Sequence, residues 1–117
     1  MFEKLGAVMN LMKNRSKLEE EMGKFRAIVP TITAEGSSGG GMVTAKANGK
    51  MEIASIKMSE DAFRLNDREM LEDLTVAAVN QALIKVRELV AAETAKMAAN
   101  MGLPPGMVDQ LGGMTGG

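Results

Sequence analysis

A chain of 117 residues with a formal net charge of −1 accommodates one domain and a modest core. It contains no cysteine and no histidine, which excludes disulfides, the usual thiolate or imidazole zinc sites, His-dependent acid–base catalysis and thiol nucleophiles. Only three aromatics occur, Phe2, Phe25 and Phe63, and twelve methionines take up part of the apolar load, chiefly as adaptable core filling.

The apolar residues at the start are interrupted by Glu3, Lys4, Asn10, Lys13 and Asn14, unlike a signal peptide. No uncharged apolar run approaches the ~18 residues of a membrane span. The expectation is a cytoplasmic protein with no membrane partner.

Residues 3–27 predict a helix. Val8, Leu11, Leu18, Met22, Phe25 and Val29 follow three–four spacing, with Arg15 interrupting, where a polar seam residue could fix register. A second apolar row, Phe2, Leu5, Met9 and Met12, points to nearly the opposite side of its first half. Two apolar rows need two partners, so the second row is the expected homodimer interface. Pro30 ends the helix by biasing Val29 away from helical angles.

Residues 31–58 predict a three-stranded antiparallel meander. Thr31 to Glu35 alternates and leads into the Gly-rich run 36–41, read as a flexible connection. A phosphate-cradling loop would need a following Lys-Ser or Lys-Thr and a helix, and the run has neither. Met42 to Ala47 places Val43, Ala45 and Ala47 on one face; Asn48-Gly49 predicts a two-residue hairpin turn. In the third strand, Lys50 to Met58, Ile53 and Ile56 break strict alternation, which predicts a bulge.

Residues 60–66 read as a connection. Asn66 is the expected N-cap of a long helix over 67–100, with Glu69 completing a capping box. Its main seam is Val76, Val79, Leu83, Val86, Val90 and Met97, flanked by Leu71, Ala78, Ala82 and Leu89. Gly102 and Pro104-Pro105 end it. At 1.5 Å per residue it is about 50 Å long, more than a three-stranded sheet covers. The domain is expected over 1–105, with a disordered Gly- and Met-rich tail over 106–117.

Charge is unevenly distributed. Residues 1–26 hold six basic and four acidic side chains; residues 59–75 hold two basic and six acidic ones. Lys13, Lys17 and Lys24 share a face of the first helix, with Glu19, Glu20 and Glu21 beside them; that face is either simply solvated or a phosphate-tracking stripe. Lys85 and Lys96 repeat the pattern on the long helix. Glu69, Glu72 and Asp73 could form an acid pair or a magnesium site, but carboxylates are favoured in the first turns of any helix.

The stretch Asp67-Arg68-Glu69-Met70-Leu71-Glu72-Asp73-Leu74, with Val76-Ala77-Ala78-Val79-Asn80 after it, resembles the YbaB/EbfC family of bacterial nucleoid-associated proteins. So do Met101-Gly102-Leu103-Pro104-Pro105-Gly106-Met107, the run Gly39 to Val43 followed by Asn48-Gly49, and the opening Asn10-Leu11-Met12-Lys13 with Leu18, Glu19 and Met22. The order and spacing of these pieces, over roughly residues 1–107, make the match specific. The resemblance implies an α+β helix–meander–helix fold, a tweezer-like homodimer and nucleoid association. It also implies binding of duplex DNA with weak sequence preference through basic residues matching Lys13, Lys17, Lys24 and Lys85. No enzyme activity, cofactor, metal or small-molecule substrate is expected. The rival is a protein-interaction module that grips a partner protein between its helices, with the Met-rich row as its contact surface.

Overall fold

The structure, a computed structural model, describes residues 15–102. The protein is α+β. Helix α1 (Arg15–Ile28) leads through a 3-10 turn (Val29–Thr31) into strands β1 (Thr33–Ser38), β2 (Val43–Asn48) and β3 (Ile53–Met58). A short helix α2 (Glu60–Arg64) precedes the long helix α3 (Arg68–Asn100). The expected first helix agrees with α1 where it is described. Its opening turns, with the row Phe2, Leu5, Met9 and Met12, lie outside the described residues, as does the tail over 106–117.

Helix α1 gives way where Pro30 fixes φ and removes an N–H; the Thr31 hydroxyl donates to the Ile28 carbonyl at 2.6 Å, satisfying a terminal acceptor. The strands form an antiparallel sheet in the order β1-β2-β3. Alternation along β2 places Val43, Ala45 and Ala47 on the face beneath α3, where all three are buried against Ala78, Ala82 and Val86.

The Gly-rich run is only partly a connection. Gly36, Ser37 and Ser38 belong to β1, and the turn covers 39–42, where all three glycines take positive φ. Gly36 is needed inside the strand because α3 passes directly over it: a Cβ there would meet the Ala78 carbonyl oxygen, the Ala82 amide nitrogen and, at 2.9 Å, the Gln81 Cβ. Two bonds fasten this crossing. The Ser37 amide donates to Gln81 Oε1 at 2.6 Å, and the Ser38 hydroxyl donates to the Leu74 carbonyl at 2.6 Å.

The β2–β3 hairpin is longer than the expected two-residue turn. The Met51 amide donates to the Asn48 carbonyl at 2.9 Å, and the Asn48 amide donates to the Glu52 carbonyl at 3.0 Å. The left-handed residue is Met51, with φ 62°, while Asn48 stays in β2. Asn48 turns the chain with its side chain, accepting from the Lys50 and Glu52 amides. Gly49 serves packing, since a Cβ there would strike the Val29 carbonyl. The expected bulge is present: Lys46 faces Ser55 and Ala47 faces Ile53, so Ala54 has no opposite residue.

Two boundaries after the sheet differ from expectation. The segment read as a connection contains α2, because Ser59 caps it by accepting from the Ala62 amide at 3.2 Å. The N-cap of α3 is Asp67 instead of Asn66; Asp67 Oδ1 accepts from the Met70 amide at 3.1 Å, and Asn66 takes a left-handed φ of 49°. The expected capping box therefore gives way, since Met70 and not Glu69 occupies the third helical position.

The rows of α3 also exchange roles. Ala78 and Ala82, expected as a secondary row, lie fully buried with Val86, whereas Val79, Leu83 and Val90 are half-buried and Val76 is exposed. The helix rides too close to the strand at Gly36 for larger side chains at its point of contact. The described chain divides into two compact units, residues 28–92, which contain the sheet and the first three-quarters of α3, and residues 15–27 with 93–102. Within the latter, Ala98 is buried and the Asn100 side-chain amide donates to Glu21 at 3.5 Å.

Candidate nucleic-acid interface

A surface that holds duplex phosphates needs cations whose charge is not already neutralised by neighbouring carboxylates. On α1, Lys17 and Lys24 stand seven residues apart and share a face. Lys24 is held by Glu20 at 3.5 Å and Glu21 at 3.7 Å, so its charge is matched within its own helix. Lys17 is exposed and has no ion-pair partner within 4.0 Å among the described residues. Arg15, in the apolar seam by spacing, is exposed and pairs with Glu19 at 3.6 Å. Lys13 lies outside the described residues.

On α3, Lys96 pairs with Glu93 at 3.4 Å. Lys85 is exposed and, among the described residues, carries no ion pair. It follows Gln81 by one turn, which puts it on the flank of α3 that reaches β1.

The outer face of the sheet adds cations beyond those expected from the helices. Lys46 and Lys57 point away from α3, because Lys46 alternates with buried Ala45 and Ala47, and Lys57 pairs across the sheet with Thr44. Both are exposed and free of ion pairs among the described residues. Lys50 is exposed in the connecting turn. Strand alternation was the available signal: a lysine between two core alanines must lie on the open face.

The opposite charge collects around the start of α3. Asp67, Glu69 and Asp73 line an open hollow with Met70 and Leu74. The nearby arginines are engaged, Arg64 with Glu60 and Asp61 and Arg68 with Glu72 at 3.0 Å. This end repels phosphate. Among the described residues no group of three or more carboxylates converges on a point where a metal ion could sit. No described helix is long and apolar enough to cross a membrane.

The sheet has one face under a long helix and the other set with lysines that carry no ion pair among the described residues, an α+β arrangement. Comparison with known proteins makes the assignment. The model of the YbaB/EbfC DNA-binding family matches residues 5–101, and the chain belongs to that family. A nucleoid-associated protein of Thermodesulfovibrio yellowstonii is 46% identical over 99 residues, covering 85% of this chain and 86% of the relative. One from Caldanaerobacter subterraneus is 42% identical over 95 residues, covering 81% and 86% respectively. In fold, the crystal structure of an uncharacterized Helicobacter pylori protein superposes with a TM-score of 0.56 at 23% identity, covering 86% of this chain and 96% of that one. The family is one of DNA-binding proteins, not of enzymes.

Proposed function

We propose that the protein is a nucleoid-associated homodimer that binds duplex DNA through its phosphates with weak sequence preference and catalyses no reaction. The observation that carries this reading is the family match over residues 5–101, a family described by its DNA binding. The distribution of free cations supports the manner of binding. Lys17, Lys85, Lys46 and Lys57 are lysines, which supply charge without the planar fork that reads guanine. Lys13 and Lys24 complete the α1 stripe, with Lys24 as its weakest member because Glu20 and Glu21 already hold it. The near-zero net charge is compatible with this because the acidic side chains concentrate around the start of α3, leaving other faces basic.

Its place is the bacterial nucleoid, as the names of the relatives state for those proteins. Homodimerisation doubles the number of lysines that face one duplex and converts weak single contacts into usable affinity. The test is competition binding with the full-length chain. Random duplexes are expected to displace a labelled duplex nearly as well as any chosen sequence. Replacing Lys13, Lys17 and Lys24 by alanine should weaken binding to all of them alike. A variant that discriminates between sequences as the wild type does not, or a wild type with one strongly preferred site, would overturn the phosphate-only reading.

A further inference from the structure

Alternation and register fix what the uncovered face of the sheet presents. Val43, Ala45 and Ala47 turn towards α3, so Thr44 and Lys46 between them turn away from it. Across the ladders, Thr44 stands between Ser37 and Lys57, and Lys46 stands between Glu35 and Ser55. Two adjacent rows therefore cross all three strands without one apolar side chain. Lys46 and Lys57 lie on a diagonal of these rows, on the order of 7 Å apart. Neither carries an ion pair among the described residues. Glu35, the one acid in the two rows, stands beside Lys46 without pairing to it. Glu60 and Asp61, next along the chain from Lys57, are engaged with Arg64.

We propose that this open face holds the phosphates of a second duplex, so that the protein bridges two DNA segments. The proposal rests on the DNA-binding reading above and adds to it a second contact surface, separate from the helices.

Charge complementarity selects phosphate as the occupant. Two like charges held close on a sheet destabilise it unless an anion lies over them, and the described carboxylates leave that place open. The hydroxyls of Thr44 and Ser55, paired with Lys57 and Lys46, supply the neutral donors that accompany lysine at a nucleic-acid backbone. A flat polar face with no pocket suits an extended polyanion. The direction of the lysines requires that this duplex be a second one. Within residues 28–92, Lys85 belongs to the helix layer, on the flank that reaches β1, whereas Lys46 and Lys57 leave the sheet on the side away from that helix. The sheet and a helix about 10 Å across lie between the two surfaces. Duplex DNA is stiff over about 150 base pairs and does not fold round so thin a slab to meet both.

Two measurements on the full-length chain test this together. Capture of a labelled short duplex by a bead-bound duplex of unrelated sequence reads bridging; fluorescence anisotropy with one short duplex reads single binding. Wild type is expected to do both. Lys46→Thr with Lys57→Thr, a change suited to an exposed strand face, should keep its affinity for a single duplex to within about twofold, because the helix lysines are untouched. The same variant should capture on the order of tenfold less of the second duplex. Lys17→Ala with Lys85→Ala should instead weaken single binding. Circular dichroism verifies that each variant is folded, and Lys57→Gln alone, with a partial loss of capture, decides the matter if the double variant is not. A folded double variant that bridges as wild type does would overturn the proposal, since two helix surfaces of a dimer would then suffice. So would a double variant whose single binding falls as far as its bridging, because the sheet would then belong to the first contact. A wild type that binds one duplex and captures no second would overturn bridging while leaving DNA binding intact; a wild type that binds neither would remove both.

Discussion

Gly36 of β1 lies directly under Ala78 of α3, so close that a Cβ on Gly36 would be driven into the Ala78 carbonyl oxygen and the Ala82 amide. This contact sets the height of the helix above the sheet. It explains why the ridge of α3 over Gly36 is alanine, and it leaves Ile56 and Met58 of β3, one strand further out than β2, exposed.

Gly36→Ala is accordingly expected to destabilise the protein by about 1–3 kcal/mol, the usual range for an overpacked core. Both atoms it would strike are backbone, which cannot rotate away. Thermal unfolding followed by circular dichroism checks this; an unchanged midpoint would mean that the helix is not seated on the strand as described.

Met51 holds a left-handed φ of 62° in the β2–β3 connection, which strains a residue with a Cβ. Its side chain is partly exposed, so little packing is lost on truncation. Met51→Gly should therefore stabilise the fold by roughly 0.5–1 kcal/mol in urea titrations, the relief of strain outweighing the freedom gained by the unfolded chain. A destabilised variant would show that the Met51 side chain contributes more than its backbone costs.

Asp67, which caps α3 through the Met70 amide at 3.1 Å, is expected to contribute about 1 kcal/mol. Asp67→Ala should lose that amount, whereas Asn66→Gly should cost little because Asn66 already occupies left-handed space. If Asn66→Ser strengthened the fold more than Asp67→Ala weakened it, the cap would belong to Asn66.

Much of this architecture was legible in the sequence, and the misreadings share a cause. The alternation of Val43, Ala45 and Ala47, the bulge implied by Ile53 and Ile56, and the extent of α3 all follow from local periodicity. The role of Gly36 does not, because glycine in a run of glycines reads as a turn until a helix is known to cross it. Likewise Asn66 and Asp67 are adjacent and equally good caps, and only the path of the chain out of α2 decides between them. Of the candidate interface, Lys17 and Lys85 could be named from spacing and resemblance. The neutralisation of Lys24 depends on which of three adjacent glutamates turns towards it. Lys46 and Lys57 were readable from strand alternation.

The lysines of α1 are therefore unequal. Lys17→Ala should weaken DNA binding more than Lys24→Ala, since Lys24 is already matched by Glu20 and Glu21. Conversely, Glu20→Gln with Glu21→Gln should tighten DNA binding several-fold by freeing Lys24 and removing two like charges from the phosphate approach. Fluorescence anisotropy at fixed salt reads both effects; equal losses for the two lysine variants would place the contact elsewhere on the surface.

Duplex phosphates are the proposed ligand of this protein. The most direct test of phosphate binding is the affinity of the full-length wild-type chain for a random duplex, measured across a salt series. The affinity is expected to fall linearly on a log–log plot with a slope of about −0.9 for each phosphate contacted. Replacing Lys17 and Lys85 by alanine should make that slope shallower. An affinity indifferent to salt, or no binding at low salt, would contradict the account.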